Sequence, residues 1–463
     1  MATQQSSRGL FQWTLKREGI IAPDERLPWP QSIALGVQHI FAMFGATVLA
    51  PILMGFDPNT AIFFSGIGTL IFFFIVRGRV PSYLGSSFSF IAVVISAEAI
   101  AGGASPNIPV ALGGIIAAGV IYAVIGLIVI AVGYRWVEVL MPPVITGAVV
   151  MVIGLNLAHV AVADLSGVAS WYNNPAIGQS NNLFFVVMGL VTTLAVLLVA
   201  VYLPKSLRVF PILIGGIVGY VLYFLATNVA NLGPANSAIS FNAVANAAWI
   251  GLPAFTAPAF DLHAVILIAP IAIVLVAENL GHVKAVAAMT GRDLDPYIGR
   301  AFLGDGIATI VSGAGGGTGV TTYAENIGVM AVTKIYSSLV FVIAALVALA
   351  MGFCPKFGEL IHTIPGPVLG GLAIVLFGLI AVTGARIWVQ NKVDFSNTRN
   401  LVTVAAALTI GAGDLTLNVG DFSLGGIAMA TFGAIIVYQL LRTRSGDADK
   451  PAMATADSAP VTG

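Results

Sequence analysis

"AVILIAPIAIVLVAENLGHV", residues 264–283, sets both the fold and the question of function. An uncharged apolar run leads to Glu278, an Asn follows, and His282 stands one helical turn beyond. A helix needs about 20 predominantly apolar residues to cross the hydrocarbon of a bilayer. A charge at its centre costs about 2.5–3.5 kcal/mol on insertion scales. The stretch is therefore apolar enough to sit in lipid, yet it carries a carboxylate and an imidazole that lipid disfavours. Separated by four residues, the two share one helix face.

The rest of the chain supports the membrane reading. It has 463 residues, 58% hydrophobic and 9% charged, and its mean hydropathy is +0.97. A soluble domain carries about 25% charged residues, so this is an all-α polytopic membrane protein with the lipid bilayer as solvent. A formal net charge of zero gives no case for nucleic acid. The single cysteine, Cys354, excludes an internal disulfide. Residues 1–30 form a polar tail with Arg8, Lys16, Arg17 and Arg26, and no apolar stretch with a small-residue cleavage site follows. No cleaved signal peptide is expected, and residues 9–20 are expected to be a solvated tail. Residues 443–463 are polar and read as a disordered tail.

Apolar segments fall near 33–54, 60–76, 86–101, 110–132, 137–160, 183–203, 209–229, 264–288, 301–314, 322–333, 336–353, 364–385, 400–418 and 423–441. Fourteen spans are expected, of which the third, ninth and tenth look too short or too glycine-rich for one regular crossing. The basic residues test this arrangement. With fourteen spans and a cytoplasmic N-terminus, 19 of the 20 Lys and Arg fall on the cytoplasmic side and Lys356 alone falls outside. The loops 161–182 and 230–263 contain neither residue. This asymmetry is what the positive-inside rule requires.

The chain also repeats. "PVITGAVVMVIGL" (143–155) matches "PVLGGLAIVLFGL" (367–379) at an offset of 224, and "GSSFSF" (85–90) resembles "VTTYAE" (320–325). Span five pairs with span twelve, and span three with span ten. A seven-span unit used twice inserts upside down the second time, which gives a seven-plus-seven inverted repeat. Inverted repeats with broken helices and a site at the breaks are a secondary-transporter pattern.

Acidic residues deep in the spans are few: Glu278 and Glu325, with Glu98 and Asp305 closer to span ends, joined by His39 and His282. Most ionisable groups at membrane depth are functional, although a structural polar pair tying helices together accounts for Glu278 and His282 as well. Glu325 lies in "SGAGGGTGVTTYAENIGVMAVTK". Its glycine run, 313–319, disfavours a helix, because Gly costs about 1 kcal/mol per site relative to Ala. "TGVTTY" suits a short strand, so short strands are expected to break spans 3 and 10, with a helix starting near Glu325. Free amides at a helix start attract acceptors. Two carboxylates and a set of amides complement a small neutral polar solute. A planar imide such as uracil, flanked by Tyr323, Phe88 and Phe377, meets that description without being singled out by it. Each aromatic taken alone is equally ordinary packing.

"QHIFAMFGATVLAP", "VPSYLGSSFSF", "AENLGH" and "TTYAENIGVMAVTK" together resemble the nucleobase–ascorbate transporter (nucleobase:cation symporter-2) family over roughly residues 28–442. "ENIGVMAVTK" fits that family's signature of Gln, Glu or Pro, then Asn-x-Gly, four residues, Thr, and Lys, Arg or Gly. "GIIAPDERLP" and "VAENLGHVKAVAAMTGR" are similar to the uracil and pyrimidine permeases within it.

The resemblance implies a core domain (31–132 and 264–354) and a gate domain (133–263 and 355–442) working by alternating access. It also implies proton symport, a homodimer, no cofactor or metal, and a bacterial inner (plasma) membrane location with both termini cytoplasmic. Matched residue by residue, Glu278 and Glu325 hydrogen-bond the base. Phe88 and Ala324 donate backbone amides, Ala46, Tyr323 and Phe377 line the pocket, and His282 assists Glu278 in proton coupling. Two positions depart from the uracil permeases: Ala324 stands where they have Gly, and Phe377 where they have Tyr. The first leaves the backbone donor intact, while the second removes a hydroxyl and leaves base preference open. A purine permease of the same family and a nucleobase channel or facilitator are the alternatives. A membrane enzyme lacks a nucleophile or metal cluster in the sequence.

The arrangement of basic residues makes a topology prediction. A cysteine placed at Asn173 is expected to react with an impermeant thiol reagent from outside intact cells, and one placed at Arg292 is not. The reverse pattern would sink the seven-plus-seven arrangement.

Overall fold

The structure is a computed structural model of the chain and describes residues 12–100, 107–166, 183–204, 207–208, 210–419 and 422–442. The 443–463 tail, most of the 161–182 loop and the side chain of Glu98 lie outside the described residues. Strands β1 (Thr14–Leu15) and β2 (Glu25–Arg26) pair in parallel. Helices α1 (Trp29–Leu53) and α2 (Pro58–Ile75) follow. Each has proline in its first turn, where a missing N–H costs nothing. Asp57 caps α2 by accepting from the amides of Asn59 and Thr60.

Next come β3 (Leu84–Ser86), a 3-10 turn at Phe88–Phe90 and α3 (Ile91–Ile100). Helices α4 (Ile108–Val132), α5 (Arg135–Leu140), α6 (Pro143–Asn156), α7 (Ala158–Ser166), α8 (Leu183–Tyr202), α9 (Pro211–Phe224) and α10 (Asn242–Asn246) follow. The second half opens with α11 (Leu262–Ile268) and α12 (Ile271–Thr290), separated at Pro270, and then α13 (Ile298–Gly315). It continues through β4 (Val320–Thr322), α14 (Ala324–Thr333), α15 (Ser338–Gly352), α16 (Pro355–His362), α17 (Gly366–Gln390) and α18 (Thr398–Ala412). A hairpin of β5 (Leu417–Val419) and β6 (Phe422–Leu424) leads to α19 (Gly426–Leu440).

Each of the fourteen apolar segments read from the sequence coincides with helix. Among the described residues, eight spans are long and apolar enough to cross a membrane, or nine if α15 and α16, bent by 83° at their junction, are one. The protein is a multi-pass membrane protein. α13 lies along α4 and α17 along α6. Glycines bring the first pair close: a Cβ built on Gly126 would fall 2.4 Å from the Leu303 amide nitrogen, and one on Gly306 2.5 Å from that of Ala123. Small residues allow this approach where no hydrophobic driving force exists between helices in lipid.

Three local readings differ from the structure. The glycine run stays helical through Gly315, because Gly313 packs against α4, and the helix ends only at Gly316 with φ +98°. The thirteenth segment stops at Ala412, where Asp414 turns back to accept from Asn156 (2.9 Å) and the Gly426 amide (3.2 Å). The N-terminal segment is largely exposed up to Ile20, apart from Trp13, whose Nε1 donates to the Ser338 hydroxyl at 3.0 Å, and it docks closely beyond that. Ile21 is 1% exposed, and the Tyr336 and Ser338 amides donate to the carbonyls of Ile21 (2.8 Å) and Pro23 (3.0 Å). Asp24 pairs with Arg292 at 2.5 Å. Burial would raise the Asp24 carboxyl, but the Arg292 guanidinium outweighs it and holds the group below its ordinary value.

β3 and β4 pair antiparallel, with Leu84 opposite Thr322, Gly85 opposite Thr321 and Ser86 opposite Val320. Their outward-facing backbone groups are met by threonines on the flanking helices. Thr69 of α2 accepts from the Leu84 amide (2.9 Å) and donates to its carbonyl (3.3 Å). Thr309 of α13 does the same for Val320, at 3.2 and 3.0 Å. Thr309→Val keeps the shape and orphans a buried N–H and C=O, so unfolding in detergent is expected to show a loss of about 1–3 kcal/mol. Wild-type stability in that variant would mean that the ribbon's edge is satisfied some other way.

Candidate functional site

The ribbon ends where two helices begin, and the candidate residues gather there. Glu325 sits in the first turn of α14, where backbone amides lack intrahelical acceptors and negative charge is favoured. Ala324 opens that helix, and Phe88 opens the 3-10 turn after β3. Glu278 comes from α12 and is half-buried, as is Glu325. The two carboxylates lie close enough to interact electrostatically. The Ser89 hydroxyl donates to Glu278 Oε2 at 3.4 Å. Among the described residues, neither carboxylate belongs to an ion pair.

His282, one turn along α12, places Nδ1 2.8 Å from the Thr322 hydroxyl, which ties the helix to β4. Phe88 meets Phe377 of α17 edge-on, with ring centroids 5.7 Å apart, and both rings are buried. This contact joins the break to a helix of the segment read as gate. Ala46 is buried on α1, beside Thr47. The Tyr323 hydroxyl receives from Thr47 (3.1 Å) and donates to the Ser86 carbonyl (2.8 Å). Its ring lies under Gly85, where an added Cβ would fall 2.5 Å from it. Tyr323 is thus a tie between strand and helix with its hydroxyl already engaged.

Behind the ribbon lies a polar cluster that the sequence reading left aside. Asp305 of α13 is fully buried. Its Oδ2 accepts from Asn279 at 2.7 Å, and Tyr122 and Thr321 approach it at 3.5 and 3.4 Å. Asn326 reaches both Nδ1 and the carbonyl of His39, each at 3.0 Å. The signal for these asparagines was in the sequence. Ala-Glu-Asn occurs at 277–279 and again at 324–326, and each time the Glu faces the break while the Asn anchors its helix from behind.

Apolar crossings, paired half-strands and two unpaired carboxylates define a membrane transporter. A family model described as "Permease family" matches residues 30–420. The chain is 58% identical to "Putative pyrimidine permease RutG" of Escherichia coli (strain K12), over 96% of this chain and 98% of that protein. It is 41% identical to "Uracil permease" of Paenibacillus larvae subsp. larvae, over 91% and 96%. It belongs to this permease family, the nucleobase–ascorbate transporters, whose members are transporters and not enzymes. The transmembrane domain of the cyanobacterial bicarbonate transporter BicA has a similar fold, with TM-score 0.61 at 17% identity, covering 92% of this chain and all of that one. Murine Slc26a9 in its inward-facing state gives 0.66 at 12% identity, covering 89% and 68%.

The engaged hydroxyl of Tyr323 makes a prediction. Tyr323→Phe keeps the ring but removes the donor to a buried carbonyl, an expected loss of about 1–3 kcal/mol in thermal or chemical unfolding. An unchanged unfolding midpoint would show that the Ser86 carbonyl does not depend on it.

Proposed function

We propose that the chain imports uracil or a related pyrimidine base by proton symport. The observation that carries this reading is the pair Glu278 and Glu325, two carboxylates at membrane depth with no cation partnered to them among the described residues. Such groups are costly unless a ligand or a proton answers them. A pyrimidine imide supplies ring N–H donors for the carboxylates, and its carbonyls accept from the amides at Phe88 and Ala324. Phe88, Phe377, Tyr323 and Ala46 enclose the flat ring. His282 links Glu278 to the proton path. The names of the relatives favour a pyrimidine over a purine.

In this reading residues 31–132 and 264–354 form a core that moves against a gate of 133–263 and 355–442, as two inverted seven-span halves. The antiparallel pairing of β3 with β4, one strand from each half, supports the inversion. The protein is taken to be a homodimer in a bacterial inner membrane, with both termini cytoplasmic.

Uptake of labelled bases into vesicles, with and without an imposed proton gradient, tests the proposal. Gradient-driven accumulation of uracil is expected. Preference for xanthine would favour the purine reading, and flux without accumulation a facilitator. Glu325→Gln is expected to keep its fold and lose most uracil binding. A charge-assisted hydrogen bond is worth about 1.5–3 kcal/mol, or roughly 10- to 150-fold in affinity. Binding within about twofold of wild type, measured on the folded variant, would remove Glu325 from the site.

A further inference from the structure

Two short helices, α5 and α16, join the segments proposed as core to those proposed as gate. The offset that lays 143–155 on 367–379 also lays Glu138 of α5 on His362 of α16. Both helices are set off by chain breakers. α5 follows Gly133, whose φ is +88°, and runs into Pro142 and Pro143. α16 starts at Pro355 and is followed by Pro365 and Pro367. Each is thereby a separate arm with a joint at either end.

At these paired positions each arm meets an ionisable partner on another helix or at its cap. Glu138 Oε1 lies 3.0 Å from Lys284 Nζ, on α12 beyond Glu278 and His282. Lys284 is also 2.7 Å from Asp295 and sits over the Tyr134 ring at 4.5 Å. On α16, His362 Nε2 lies 3.8 Å from Oδ1 of Asp57, the residue that caps α2. Among the described residues, the elements packed against α16 bring these groups toward His362. α2 brings Asp57, and α16 itself carries Glu359 and Lys356. α10 and α15 contribute no charged side chain. α9 brings Tyr220, whose hydroxyl is 2.8 Å from that of Thr363.

The two contacts differ in chemistry. A lysine–carboxylate pair keeps its charges throughout the physiological range, whereas histidine changes charge between about pH 5 and 8. Below that window the imidazolium faces the Asp57 carboxylate as an ion pair; above it the attraction is lost. Burial would raise the Asp57 carboxyl, but His362, the Thr60 hydroxyl and the amides of Asn59 and Thr60 outweigh it and hold it low. Asp57 therefore stays ionised throughout that range.

We propose that α5 and α16 are paired latches, the first held by a permanent charge pair and the second by an acid-dependent one that releases as pH rises. The place of the latches in a transport cycle rests on the symport reading above; their existence does not. In the proposed orientation the Asp57–His362 latch lies on the outer face, where a proton-driven importer meets acid.

Hydrogen exchange of the purified protein, corrected for intrinsic rates, tests the latch without any substrate. Amides of residues 355–364 are expected to exchange roughly two- to fivefold faster at pH 8 than at pH 6, the range of a partly exposed ion pair. His362→Gln should abolish the difference. Asp57→Asn, which removes the charge but remains a good helix cap, should abolish it too. Residues 135–141 should show no such pH effect in wild type, and Glu138→Gln should speed them equally at both pH values. A pH-independent α16 in wild type overturns the latch. In proteoliposomes, base-for-base exchange by His362→Gln should exceed wild type at outside pH 6 and match it at pH 8. A constant ratio would take the latch out of the cycle. Failure of the wild type to carry uracil would instead sink the symport reading, with the amide exchange still deciding the latch.

Discussion

The structure depends on one constraint: backbone that is not helical at membrane depth must find every hydrogen bond inside the protein. β3 and β4 are three residues each, far too short to be stable alone. They meet each other through their inward groups and meet side chains through their outward ones. Thr69, Thr309 and Tyr323 take exposed amides and carbonyls along the edges, and Asp305 accepts from the Thr321 hydroxyl. Once that ribbon is satisfied, much else is fixed. α2 and α13 must flank it, α4 must pack behind α13, and α14 must start at Ala324 with open amides facing the break.

That dependence explains what could be read in the sequence. The crossings were legible because twenty-odd apolar residues have few alternatives in lipid, and the strand breaks because Gly, Thr and Tyr cluster at 316–323 and Gly, Ser and Phe at 85–90. Glu278 and Glu325 stood out as charges in apolar runs, and the structure brings both to the break. The supporting contacts were not legible. Asp305 looked like a span-end residue because it stands early in the 301–314 segment, and only the folded chain shows that Asn279, Tyr122 and Thr321 of β4 converge on it. The docking of Ile21 and Asp24 was hidden for another reason. A polar tail reads as solvated until its partners are known, and Arg292 and the 334–338 connector lie about three hundred residues away.

Helix ends were misread where packing overrode propensity. Gly313 and Gly315 are poor helix formers, yet the absence of a side chain is what lets α13 continue against α4 and Phe64. The same glycines that argue for a break in isolation argue for helix once a neighbour is present. Phe377 shows a related effect: its edge-on contact with Phe88 depends on how α17 meets the break, which no local pattern encodes.

The two anchoring asparagines bear on how such a site can be both exposed and firm. Glu278 and Glu325 are half-buried and, among the described residues, belong to no ion pair, so no salt bridge holds them in place. Their neighbours do. Asn279 fixes α12 to Asp305 and Tyr122, at 2.7 and 2.8 Å, and Asn326 fixes α14 to His39. Rotation of either helix that carried its carboxylate off the break would have to break a buried hydrogen bond, at about 1–3 kcal/mol for each group left unsatisfied. The carboxylates are therefore held by bonds that the next residue on each helix makes, and among the described residues no ion pair engages their own oxygens. A cluster built this way keeps its geometry without calling on the carboxylate oxygens themselves.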